Sequence, residues 1–261
     1  MKPPATFARD WQRNNPPDDQ TARGISLRSP PGQAAGVTPY MVALAAFGTL
    51  LYRLGGQDDI LVGGPMANRE SGGFEDVIGF FANTIVVRVR LGGNPMFATL
   101  LDRVRESVLA SYEHQDVPFE LVVEALRPAR DPGLNPIFQV NFRVRVGAPP
   151  TLDLAGTQTS RVAVDLGFAR FDLALELHLL DDRILGELIY NTALFEQDSA
   201  ARLAADFETL LRQAVTRPQT RLLSFELTAA RRGDADEAGA PAPTAGIRRF
   251  REASGSPDAS G

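Results

Sequence analysis

The stretch Leu173–Asn191 reads LALELHLLDDRILGELIYN. Leu173, Leu175, Leu177 and Leu179 alternate with Ala174, Glu176 and His178, which is the period of a half-buried strand. A second strand-like run follows at Ile184–Asn191, and Asp181-Asp182 between the two supplies turn residues. The pair reads as a hairpin, which forces antiparallel pairing. The rest of the chain alternates helical and strand patterns. The expected fold is therefore α/β, a mixed β-sheet with helices packed on it rather than a purely parallel sheet.

Outward from the hairpin, Ile137–Val146 (IFQVNFRVRV) alternates cleanly and is an expected strand, as are Phe81–Leu91 (FANTIVVRVRL) and the shorter Asp59–Gly64 (DILVGG). Thr38 before Pro39 is an N-cap with proline at the first helical position. The helix it starts is apolar nearly all round, so it is expected to be deeply buried, and Gly55-Gly56 end it. Asn94-Pro95 is expected to start a helix reaching about Glu113, with a shorter one over Pro118–Leu126. Gln197–Thr216 is amphipathic and stops before Pro218. Residues 1–36 and 228–261 are rich in Pro, Gly and polar residues without periodicity. They are expected to be poorly ordered, leaving an ordered body at 37–227.

The 261 residues are 44% hydrophobic and 23% charged, with net charge -5. There is no basic field to attract nucleic acid. With no cysteine, a disulfide framework and a thiolate metal site are excluded. The start has no signal-peptide pattern and no run of about 18 apolar residues could span a membrane, so no membrane is expected as a partner and the expected location is cytoplasmic.

Few catalytic constellations fit two histidines, His114 and His178. No HExxH metal spacing and no GxSxG elbow occur, and GGPMANRESGG lacks the spacing and the lysine of a phosphate loop. No metal site and no catalytic residue are assigned. His178 reads either as part of a polar outer hairpin face or as a histidine facing a cleft. His114 opens HQDVPFE (His114–Glu120), which has a full structural explanation as a helix–helix joint. The histidine sits near a helix C-terminus, Asp116 can cap the next turn, and Pro118 and Glu120 suit its first positions.

GQDDILVGGPMANR (Gly56–Arg69), VIGFFANTIVVR (Val77–Arg88), HQDVPFE and RDPGLNPIFQV (Arg130–Val140) occur in that order. Together with FDLALEL (Phe171–Leu177) they closely resemble the C-terminal half of condensation domains of nonribosomal peptide synthetases, over about Val37–Leu227. The resemblance implies one lobe of a chloramphenicol acetyltransferase-like fold. It also implies amide formation between aminoacyl or peptidyl thioesters carried on the phosphopantetheine arms of peptidyl carrier protein domains, with no cofactor bound to the chain itself. The family's HHxxxDG motif belongs to the N-terminal lobe, and no HH occurs here. The expectation is a lobe inactive alone, completed by an N-terminal lobe supplied in trans or missing. The alternative is a non-catalytic docking module for carrier proteins or tailoring enzymes. By resemblance, Phe80, Asn83, His114, Asp116, Phe119, Arg130 and Asn135 are candidates for the substrate tunnel or lobe interface. Packing or backbone hydrogen bonding is the plainer role for each.

Overall fold

The computed structural model describes residues 36–69, 73, 76–129, 131, 133–147, 156–157, 159, 169–180 and 184–227. Residues 1–35, the tail at 228–261 and the expected turn at Asp181-Asp182 lie outside the described residues, as does Arg130.

Helix α1 (Pro39–Gly55) begins as its sequence predicts: the Thr38 hydroxyl accepts from the Met41 amide at 3.3 Å. It ends at Gly56 in the left-handed region (φ 67), whose N–H donates to the Tyr52 carbonyl at 2.9 Å. Every residue from Met41 to Leu51 is buried, so the all-round apolar pattern does mark a core helix. Truncating Leu44 at its centre is expected to cost about 2–5 kcal/mol.

Five strands form one sheet: β1 (Asp59–Met66), β2 (Asn83–Arg90), β3 (Val140–Val146), β4 (Leu173–Leu179) and β5 (Ile184–Tyr190). Their order is β2-β1-β3-β4-β5. The outer pairs β1/β2 and β4/β5 are antiparallel and the inner pairs β1/β3 and β3/β4 parallel, the mixed sheet expected from the hairpin. The register aligns Val87, Val62, Val140, Leu173 and Tyr190 in one row across all five strands, and all five are buried. On that face pack α1, α2 (Phe97–Glu113) and α4 (Gln197–Thr216). Phe47 of α1 stacks on Phe142 of β3 at 5.8 Å and meets Phe207 of α4 edge-on at 6.1 Å. The other face carries the charges. Arg88 grips Asp59 with bonds of 2.6–3.0 Å, and Arg143 lies 3.7 Å from Glu176. Glu176 and His178 share this face, as the alternation in LALELHLL requires.

Strand β1 runs on to Met66 and β2 is Asn83–Arg90 rather than Phe81–Leu91, and two element starts differ further from the sequence reading. Helix α2 starts at Phe97, not at Asn94-Pro95, because Met96 stays extended and bridges to Arg221. The first amides of α2, on Phe97 and Ala98, donate to the carbonyls of Thr220 and Pro218 at 2.9 and 2.8 Å, so a later loop closes the helix end. Strand β3 starts at Val140, three residues after Ile137. Asn135 and Gln139 tie that approach into a turn: the Gln139 side chain donates to the Asn135 carbonyl (2.8 Å) and accepts from its amide (3.2 Å).

Candidate functional site

The candidate residues gather where β2 begins. Asn83 has Ile85, Val87 and Val89 after it as the buried side of the strand, but its own amide turns to the loop between α2 and α3 (Phe119–Leu126). Its Nδ2 donates to the carbonyls of Gln115 (2.7 Å) and Val117 (2.8 Å), and its Oδ1 accepts from the Phe119 amide (3.1 Å). HQDVPFE is thus a helix–helix joint stapled to the sheet by one side chain. The cap foreseen from Asp116 comes instead from Asn83. Pro118 at the N-cap makes no side-chain cap, and Asp116 faces solvent.

His114 terminates α2. Its carbonyl accepts from the Val117 amide at 3.1 Å, and its side chain is exposed. Neither His114 nor Asp116 engages another described residue through its side chain. Phe119 points inward to an aromatic stack: it meets Phe138 edge-on at 5.7 Å, and Phe138 lies stacked on Phe171 at 5.4 Å. Phe138 is 4% exposed because it lies over Gly63 of β1. A Cβ on Gly63 would stand 2.0 Å from the Phe138 ring, so only glycine leaves it room. Asn135 belongs to the same cluster through Phe171, since its amide donates to the Arg170 carbonyl at 3.1 Å. The structure thus bonds Asn83 to Phe119, leaves His114 and Asp116 as exposed members of the loop that Asn83 holds, and ties Asn135 to the backbone beside Phe171.

Phe80 stands at the outer rim. It is 92% exposed, and Ile78 beside it is fully exposed. Helix α3 adds Leu121 and Leu126, both exposed, and none of its residues is buried despite its apolar composition. Val117 in the α2–α3 joint is exposed as well, so the loop before β2, the joint and α3 each leave apolar side chains uncovered.

Sequence reading missed Arg69, Phe138, Phe171 and Asp172. Phe138 carried a signal in the IFQV alternation, but its contact with Gly63 is tertiary. Asp172 sits beside the stack. Burial pushes its carboxyl above the usual value, against a hydrogen bond with the Asn191 side chain, and its Oδ2 has no partner among the described residues. Among the described residues no three His, Asp or Glu side chains are grouped to hold a metal, and no helix is long and apolar enough to cross a membrane.

Comparison with known proteins matches residues 31–234 to the condensation domain. Malpinin synthetase of Mortierella alpina is 44% identical over 170 residues, which is 65% of this chain and 2% of that protein. Chondramide synthase cmdD of Chondromyces crocatus is 40% identical over 195 residues, 75% of this chain and 5% of that one. In the complex of the X-domain and OxyB from teicoplanin biosynthesis, a chain superposes with TM-score 0.69 at 30% identity, covering 76% of this chain and 44% of that one. The chain thus spans a few per cent of these two large relatives and under half of the solved chain.

Proposed function

The chain belongs to the condensation-domain family, and on that premise we propose that it supplies one lobe of an amide-forming condensation centre in nonribosomal peptide synthesis. In the reaction assigned to that centre, the amine of an acceptor aminoacyl group attacks the thioester carbonyl of a donor. The C–N bond forms, the C–S bond breaks, the amine loses a proton and the carrier thiol leaves. Both groups arrive on phosphopantetheine arms of peptidyl carrier domains.

The observation that carries this reading is the exposure of Ile78, Phe80, Val117, Leu121 and Leu126 on the loop before β2, the α2–α3 joint and α3, which fits a surface closed by a second lobe. We assign the Asn83-stapled loop and the Phe119–Phe138–Phe171 stack to this lobe's share of the tunnel wall, with His114, Asp116 and Asn135 at its margin. His114 ends α2 and His178 lies within β4, so the two stand on separate elements. We therefore place the general base, in the form of HHxxxDG, on another stretch of polypeptide, and the 261 residues are inactive alone.

The likeness to a chain of the X-domain–OxyB complex favours a second reading, a docking module that forms no bond. A peptide-bond assay separates the two. The chain is mixed with aminoacyl-loaded donor and acceptor carrier proteins, with and without a separately expressed HHxxxDG-bearing lobe. Dipeptidyl-carrier formed only with the added lobe supports the first reading. Carrier binding without product in either mixture supports the second. Product from the chain alone sinks the assignment of the base to another lobe.

A further inference from the structure

Arg69 follows β1 and reaches across to the loop that precedes β2. Its Nη1 donates to the Val77 carbonyl at 2.7 Å and its Nη2 to the Gly79 carbonyl at 3.1 Å. Its guanidinium lies 4.6 Å over the Phe81 ring. Charge-assisted bonds from one rigid fork fix two carbonyls in the same direction. Gly79 lies at a bend between Ile78 and Phe80. Ile78 is fully exposed and Phe80 92% exposed. A loop held by charge-assisted hydrogen bonds, with Ile78 and Phe80 left in solvent, fits a surface that covers them.

We propose that Arg69 is a positioning residue that sets the Val77–Gly79 backbone so that Ile78 and Phe80 meet the opposing, histidine-bearing condensation lobe. The inference rests on the lobe reading above. The occupant follows from coverage: the chain matches only 44% of a solved relative, and the remainder of such a domain is the natural cover for Ile78 and Phe80.

The test uses Arg69→Gln, Arg69→Lys and the double variant Ile78→Ser/Phe80→Ser in the full chain. The probe is a separately expressed HHxxxDG-bearing N-terminal condensation lobe. Three quantities are read: melting temperature, lobe affinity, and the rate of chymotrypsin cleavage after Phe80, which reports loop opening without any lobe. Arg69→Gln is expected to speed cleavage and weaken lobe binding, each about tenfold, at an unchanged melting temperature. Arg69→Lys keeps the charge but not the fork, and is expected to fall between Gln and wild type. Wild-type cleavage and affinity in Arg69→Gln would overturn the role of Arg69 while leaving the lobe reading intact. Faster cleavage at wild-type affinity in Arg69→Gln would confine Arg69 to loop placement and overturn the proposed presentation. Wild-type affinity in the double variant, or no binding by the wild-type chain, would overturn the lobe reading.

Discussion

The side-chain oxygen of Asn83 caps the amide of Phe119, 36 residues away, at 3.1 Å. The same side chain holds the carbonyls of Gln115 and Val117, so one residue at the start of β2 sets the entry into α3. Asn83→Ala removes all three bonds and leaves backbone groups to be satisfied by water. The expected cost is about 1–3 kcal/mol in urea unfolding. Asn83→Asp sets a carboxylate against two carbonyl oxygens and is expected to be worse at neutral pH, recovering in part below about pH 4, where the acid can donate. Equal stability of Asn83→Asp at both pH values would contradict the two donor bonds.

Gly63 and Phe138 form a second long-range pair. Gly63→Ala brings a methyl to 2.0 Å from the ring, so Phe138 must leave its place over β1. The expected loss is about 1–3 kcal/mol. Phe138→Leu in the Gly63→Ala background is expected to cost less than the sum of the two single changes, because the smaller side chain relieves the clash. Strict additivity in a double-mutant cycle would show that the ring does not sit on Gly63 in solution.

Asp172 gives a pH dependence of defined sign. Its carboxyl is raised from an ordinary 3.8, mainly by burial. Between that value and the raised one, the folded chain binds more protons than the unfolded chain, so stability falls as pH rises through the window. The penalty is absent below the unfolded value and complete above the folded one. Asp172→Asn removes the group, and its denaturant midpoint is expected to lose this downward slope relative to wild type. Parallel midpoint-versus-pH curves for the two proteins would refute the shift.

The exposed apolar side chains of Ile78, Phe80, Val117, Leu121 and Leu126 predict the behaviour of the chain without its partner. Self-association and binding of a hydrophobic dye are expected for the wild type, and Ile78→Ser/Phe80→Ser is expected to reduce both. A monodisperse wild-type chain with no dye signal would count for an independent module and against an incomplete one.

The strands and helices were legible because burial repeats at short range. The alternation in LALELHLL and the all-round apolar α1 each announce which side faces the core, and the Thr38-Pro39 start lies within four residues of the amide it caps. The start of α2 was misread for the opposite reason. Phe97 and Ala98 find their acceptors at Thr220 and Pro218, more than a hundred residues on, so nothing near Asn94 encodes the boundary. The site was legible only as a set of neighbours along the chain. HQDVPFE was recognisable as a joint, but the residue that caps it lies in another element.

The sequence alone determined the mixed sheet, the buried first helix and the family resemblance, because these rest on periodicity and on motifs read in order. Tertiary structure alone decided that Asn83 caps Phe119, that Phe138 occupies the space over Gly63, and that Arg69 holds the carbonyls of Val77 and Gly79. Most of those contacts join a side chain to a backbone amide, a carbonyl or a missing Cβ. Backbone groups are the same at every position, so no residue pattern marks which one a distant side chain will find.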